Sequence, residues 1–268
     1  MSEIVSSRTP DADYLITGAY IRYSSEIAHL PGWTARIITL LEYFSIPYRF
    51  HQHSKSNAEG FKAIKSTPAG WVPILTVSSL SNTIIHDSLS IAEFLSESHP
   101  TLPLWPRNRR LRALARSVVA ELHSGFAGLR YTYHTNFVAH YTGTVPISPE
   151  VYKEVVRLLA IFEFARQQTR SEGVEGGYLF GEFGIADAFF WPILWRFRTY
   201  AVDLSTATPL AREWICLMWA DPKLRALGKT AFAESRDPAT GVPEYDNLWP
   251  GQAEMVKYDE DAVYEPKF

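Results

Sequence analysis

The sequence has little sulfur, no long apolar run and no excess of basic charge. Of its 268 residues one is cysteine, Cys216, and three are methionine. A single cysteine excludes a disulfide within the chain and fits a reducing compartment. Cys216 stands between Ile215 and Leu217 in an apolar helical stretch and reads as a buried structural thiol. No apolar stretch approaches the roughly 18 residues of a membrane span, so no membrane is expected as a partner. Met1 to Asp13 is polar and lacks the apolar core of a secretory signal, which gives a frayed start and a cytoplasmic location as expectations. The 26 Lys and Arg face 29 Asp and Glu, a net charge of −3, so no nucleic acid is expected as a partner. The densest basic cluster, Arg107-Asn108-Arg109-Arg110, reads as a solvated helix start. His51 and His53 flank Gln52 and share one face of a strand, but no third ligand is near, so no metal is expected.

What is present is an ordered alternation of local signals, followed by a change of pattern. Tyr14 to Ile21 is a β-prone run, and Trp33, Ile37, Ile38, Leu40, Leu41 and Phe44 recur at helical spacing. Pro47 ends that helix, Tyr48 to His53 reads as a second strand, and Ala58 to Lys65 as a short helix. Thr67-Pro68-Ala69-Gly70 is a loop before a third strand, Val72 to Val77. Ser81-Asn82 is a turn, Thr83 to His86 a fourth strand, and Ser88 to Ser98 an amphipathic helix. A strand–helix–strand start favours a right-handed crossover and a parallel pair, and the tight turn favours an antiparallel one, so a mixed four-stranded sheet is predicted. Residues 14–99 form this α/β domain and 100–106, rich in proline, the linker. Residues 107–236 read as an all-α bundle with helices over Arg107 to Tyr141, Pro149 to Thr169, Ile185 to Tyr200, Pro209 to Trp219 and Pro222 to Ala233. Residues 237–268 form a tail that is disordered or strapped across the surface.

Two places can carry chemistry. In Trp71-Val72-Pro73-Ile74-Leu75 a proline opens a strand and cannot donate to its ladder. Either this is an edge strand, or a cis bond leaves the Val72 N–H and C=O for an extended peptide ligand. In Ile85-His86-Asp87-Ser88-Leu89, Asp87 or Ser88 caps the following helix. The free N–H groups and dipole of that helix start can hold a ligand carboxylate, and Asp87 can pair with an ammonium group. Together they suit an extended peptide with an amino-acid head, which is the form of glutathione.

From Tyr14 to Ala233 the chain resembles the glutathione transferase superfamily. The resemblance rests on Val72-Pro73, on Asp87-Ser88 with the helix SIAEFL after it, and on Phe183-Gly184-Ile185-Ala186-Asp187-Ala188. The last is similar to a buried helix start in which an Asp three residues in bonds back to its cap. Ala120 to Phe126 and Trp195 to Tyr200 resemble a bacterial and fungal branch with a serine-type active site. The resemblance implies a thioredoxin-like N-terminal domain, an all-helical C-terminal domain, glutathione as cofactor and a homodimer. It implies cofactor contacts at Trp71, Val72, Pro73, Asp87 and Ser88, with His53 or Lys55 meeting the glycyl carboxylate. The second substrate, a small electrophile, then falls to Glu121, His123, Arg130, Tyr131 and Tyr133, with His123 as a candidate base.

The chain also departs from that pattern. The serine branch has its catalytic hydroxyl where the first strand meets the first helix; here Tyr23-Ser24-Ser25 is separated from Trp33 by an insertion, Glu26 to Gly32. Ser24 or Ser25 supplies the hydroxyl if the loop folds back, and Thr34 is the alternative at the helix start. Trp71 stands where many relatives carry Lys or Gln, and Gly184 where they carry a Ser or Thr cap. Three activities stay open: a transferase or isomerase that works through the glutathione thiolate, a lyase, cyclase or isomerase that has dispensed with it, and a non-catalytic interaction module.

Overall fold

The first strand sets the architecture because it pairs on both sides. β1 (Tyr14–Arg22) runs parallel to β3 (Tyr48–Ser54), in the register Ile16↔Phe50, and antiparallel to β4 (Ile74–Val77), in the register Ile16↔Leu75. β4 pairs antiparallel with β5 (Thr83–His86), Leu75 facing Ile85. The result is the mixed four-stranded sheet β3-β1-β4-β5. The two-residue strand β2 (Ala28–His29) adds to the end of β1. The computed structural model describes residues 8–22, 28–29, 32–54, 62, 64–137, 139–234, 248–257 and 264–268.

Two helices pack together in this domain. α1 (Gly32–Tyr43) buries Ile37, Leu40 and Leu41 completely, and α2 (Ser88–Ser98) buries Ile91, Ala92 and Leu95. Each set recurs at three- and four-residue spacing, so one face of each helix leaves water. The chain divides into two compact units: Met1–Ser98 with Ala226–Leu248, and His99–Arg225 with Trp249–Phe268.

The second unit is built on α3 (Arg109–Ser124), α4 (Ala127–Thr132), α5 (Pro149–Ser171), α6 (Ile185–Thr199) and α7 (Pro209–Ala220). α8 (Pro222–Glu234) follows. The single helix expected over Arg107 to Tyr141 is two helices. Gly125 ends α3, and a Cβ there would lie 2.9 Å from the Glu121 carbonyl oxygen. Phe126 then takes φ 59° and turns the chain. Beyond α4 the chain enters a strand, β6 (Ala139–Gly143), which pairs antiparallel with β7 (Ala253–Lys257) from the C-terminal segment. Tyr200 stacks between Tyr133 and Tyr141, at centroid distances of 4.7 and 5.1 Å, and Trp249 meets all three rings edge-on. The helical unit thus includes a two-stranded ribbon closed by aromatic packing.

Cys216 is exposed, contrary to the expectation of a buried thiol. α7 buries Trp214, Ile215, Met218 and Trp219, and Cys216 lies about 60° beyond the Trp219 edge of that stripe. Partial burial still raises its pKa, so the thiol is a weak nucleophile. Among the described residues no helix is long and apolar enough to cross a membrane, and no three His, Cys, Asp or Glu come together to hold a metal.

α6 carries the most consequential buried charge. Asp187 accepts from the Gly184 N–H at 3.1 Å, the Leu179 N–H at 3.0 Å and the Trp214 indole N–H at 2.8 Å. The three donors favour the carboxylate, but complete burial outweighs them and pushes the pKa up to about 6 from 3.8. The cap at Gly184 is therefore half of a capping box: the Asp bonds back, and no side chain reciprocates. Glycine is required here for another reason. A Cβ would lie 2.8 Å from the Leu104 carbonyl oxygen and 3.2 Å from that of Pro103, because Leu104 accepts from the Ile185 N–H at 2.9 Å.

Two outcomes are expected. A folded pKa above the unfolded one means that the folded state binds the proton more tightly, so Asp187's contribution is full below pH 3.8 and is lost as pH rises through about 6. The difference in urea unfolding free energy between wild type and Asp187→Asn should fall by on the order of 3 kcal/mol from about pH 4 to about pH 7; a flat difference would refute it. Gly184→Ser should lower stability by about 1–3 kcal/mol through overpacking, despite the added cap oxygen. The readout is a lower urea midpoint at unchanged slope.

Candidate functional site

The candidate site lies at the end of the β4–β5 pair, within the first unit. Val72 and Pro73 are joined by a cis peptide bond, and β4 begins directly after them. The ladder pairs Ile74 with His86 and ends there. Continuing the register by two residues sets Val72 beside Ser88, the first residue of α2. Among the described residues, no backbone hydrogen bond uses the Val72 N–H or C=O. An extended ligand can pair with both groups, as an added strand would.

The turn from β5 into α2 is made by Asp87, whose φ is 74°. Aspartate tolerates this left-handed region better than most side chains because its carboxylate bonds locally. Its Oδ1 accepts from the Leu89 N–H at 2.8 Å and the Ser90 N–H at 3.3 Å, and its carbonyl accepts from the Ile91 N–H at 3.0 Å. Asp87 is thus the N-cap of an eleven-residue helix. Ser88 is 1% exposed, and among the described residues its hydroxyl has no hydrogen-bond partner. A buried hydroxyl left unpaired is destabilising, so its presence at the positive end of α2 calls for a ligand acceptor. A carboxylate reaching the first turn would meet this hydroxyl and the helix dipole together.

Trp71 is 65% exposed, and the Lys65 ammonium nitrogen lies 4.0 Å from its ring centroid. Lys65 was not anticipated as a site residue. It lies six positions before Trp71 across a turn, and only the turn's conformation brings the two together. Of the remaining cofactor candidates, His53 takes part in β3 through its backbone, opposite Ala19. Its side chain, Lys55 and the catalytic candidates Ser24 and Ser25 lie outside the described residues. Thr34, the alternative hydroxyl, is fully buried against Gly18 and has no hydrogen-bond partner among the described residues.

The five candidates for a second substrate lie in the other unit and are not equivalent. Glu121 on α3 is held by Arg157 of α5 through contacts of 2.6 and 2.8 Å, which raise the Arg157 pKa. His123 occupies the last turn of α3. Arg130 donates to the Leu122 carbonyl at 2.9 Å and so caps that helix end. Tyr131 is 87% exposed. Tyr133 is 1% exposed, donates to the Pro146 carbonyl at 3.0 Å and stacks on Tyr200, so it serves the core. Trp191 and Trp195 are likewise buried.

This geometry has known counterparts. Residues 146–215 match the family model described as glutathione S-transferase, C-terminal domain. A Caenorhabditis elegans protein named "Probable maleylacetoacetate isomerase" is 32% identical over 99 residues, 37% of this chain and 44% of that protein. The match thus spans less than half the length of that relative. A tau class glutathione S-transferase from mango (Mangifera indica) superposes with a TM-score of 0.58 at 18% identity, covering 83% of this chain and 97% of that one. The maleylacetoacetate isomerase of Anaeromyxobacter dehalogenans, solved with dicarboxyethyl glutathione and citrate in its active site, superposes with a TM-score of 0.53 at 18% identity. That superposition covers 90% of this chain and 99% of the isomerase. Residues 146–215 are thus similar to the glutathione S-transferase C-terminal domain, and the chain has the fold of the glutathione transferases.

Proposed function

We propose that this chain binds glutathione and is a glutathione transferase or a glutathione-dependent isomerase. The observation that carries the reading is a conjunction: among the described residues, nothing pairs with the Val72 backbone, and nothing pairs with the buried Ser88 hydroxyl at a helix start two register steps from β4. The cysteinyl part of glutathione pairs with Val72. Its γ-glutamyl carboxylate meets Ser88 and the α2 dipole, and its ammonium group meets the Asp87 carboxylate. When bound, glutathione supplies a thiol that acts as a nucleophile once ionised. Ser24 or Ser25, as a hydroxyl donor to the sulfur, would favour that ionised form. Glu121, His123, Arg130 and Tyr131 are the side chains we assign to the electrophile.

The names of the relatives support the isomerase branch. One is named as a maleylacetoacetate isomerase, and another isomerase of that name was solved with a glutathione derivative. A small electrophile with a double bond conjugated to a carbonyl is the substrate class this favours. The single cysteine and the fold support a homodimer in the cytoplasm. Light scattering should then give a mass twice the chain's 30.4 kDa.

Calorimetry with glutathione tests the reading: a dissociation constant of millimolar or tighter is expected, and one far weaker would end it. Ser88→Ala separates a ligand role from a structural one. It should weaken glutathione binding about tenfold, while leaving the unliganded protein as stable as wild type or more stable by about 1 kcal/mol. Loss of stability together with unchanged binding would make Ser88 structural. Following glutathione during turnover distinguishes the two activities, since conjugation consumes it and isomerisation does not.

A further inference from the structure

A cleft of about 760 Å³ opens in the second unit, lined by Ala207, Pro209, Arg212, Glu213, Cys216 and Phe268. Pro209, Arg212, Glu213 and Cys216 recur at three- and four-residue spacing on α7 and so share one face of it. Arg212 is fixed in this cleft. Its Nε donates to the Ala207 carbonyl at 2.7 Å and its Nη2 to the Ser205 carbonyl at 3.1 Å, which ties it to the loop before α7. Its Cζ lies 5.0 Å from the centroid of the Phe268 ring, so one face of the guanidinium is covered. Among the described residues no hydrogen bond uses its Nη1 and no carboxylate pairs with it. The neighbouring carboxylate, Glu213, is taken by Arg170 of α5 at 2.6 Å. The cleft therefore keeps one positive charge without a counter-charge, on a side chain whose rotamer freedom is already lost.

We propose that this cleft binds a small aromatic monocarboxylate. The carboxylate accepts from Arg212 at Nη1, a charge-assisted bond to a cation that is ordered before the ligand arrives. Ala207, Pro209 and Phe268 give the body of the ligand an apolar wall. Cys216 lies one turn beyond Arg212, about 6 Å along the helix axis. A single ring spans that distance, so an aromatic acid held at Arg212 reaches the thiol. Glu213 beside the cation disfavours a second negative charge, which sets the preference for a monoanion. None of these residues is assigned above to glutathione or to the electrophile, so the inference goes beyond that reading.

The one cysteine of the chain reports occupancy, since its alkylation by iodoacetamide, a neutral reagent, can be followed by mass. The probes are para-ethylbenzoate and its neutral counterpart para-ethylbenzamide, added to the full chain without glutathione. The acid should slow alkylation of Cys216 with a half-effect at about a millimolar, and the amide should need about tenfold more. Arg212→Gln should erase that difference, and Glu213→Gln should tighten the acid about twofold. Cys216→Phe changes an exposed position, keeps Arg212 and puts a ring into the cleft. Binding of the acid to that variant, followed by the ligand's own NMR signals, should be lost. Equal protection of Cys216 by acid and amide overturns the proposal, and so does protection by neither. Wild-type affinity of Cys216→Phe for the acid overturns it as well. None of these outcomes bears on glutathione binding, so the two readings fail separately.

Discussion

The pairing of Ile74 with His86 decides where every other group of the candidate site falls. A strand pair has a side-chain period of two, so a slip of one residue would turn the inward set of β4 outward. Leu75 and Val77 are buried at 0% and 1%, which forbids that slip. With the register fixed, the chain before Ile74 and the chain after His86 must leave the sheet side by side. The cis bond at Val72–Pro73 and the left-handed Asp87 are the two departures, one on each strand. Their juxtaposition sets an open strand edge beside a helix start. The site is thus a consequence of the register of the four residues of β4, not of a dedicated loop.

The helical unit depends in a similar way on one carboxylate. Asp187 ties the start of α6 to Leu179 and to Trp214 of α7, and Trp214 in turn lies against Phe162 of α5, with ring centroids 4.3 Å apart. A wholly apolar residue there would pack but would leave three donors unpaired, which is the costlier alternative. Gly184 belongs to the same arrangement, since its missing side chain lets Leu104 approach and accept from Ile185. The substitution that looks like a lost cap in the sequence is a close backbone approach in the structure.

Where the sequence was legible, local chemistry and tertiary packing agreed. Thr83–His86 and Ser88–Ser98 match the expected boundaries, because a turn signal and a capping Asp mark them. Pro73 and Asp87 carried local signals of the same kind: a proline at a strand start cannot donate to the ladder, and an aspartate before an amphipathic run caps it. The break at Gly125 was missed because an isolated glycine in a helical pattern is ambiguous, and what decides it here is the approach of the Glu121 carbonyl. The β6–β7 ribbon was missed because its partners lie over 100 residues apart, a separation that no local pattern records. The exposure of Cys216 was misread from its apolar neighbours, whereas the phase of α7 separates it from them. Lys65 carried no signal at all, because its contact with the Trp71 ring depends on the φ of Gly70.

The tail makes the same point in reverse. Its composition of Pro, Gly, Asp and Glu with scattered aromatics resembles that of a chain too poor in apolar surface to fold. Yet three of its aromatics meet side chains of the helical unit: Trp249 at the tyrosine stack, Tyr264 at Trp219 with centroids 4.8 Å apart, and Phe268 under the Arg212 guanidinium at 5.0 Å. Trp219 and Arg212 lie seven residues apart on α7, about 10 Å along its axis. Tyr264 and Phe268 are four residues apart, a spacing that an extended chain covers at about 3.3 Å per residue. The C-terminal residues therefore match the length of α7 that they accompany. Composition alone describes how much apolar surface a segment has, but spacing decides whether a neighbour can use it.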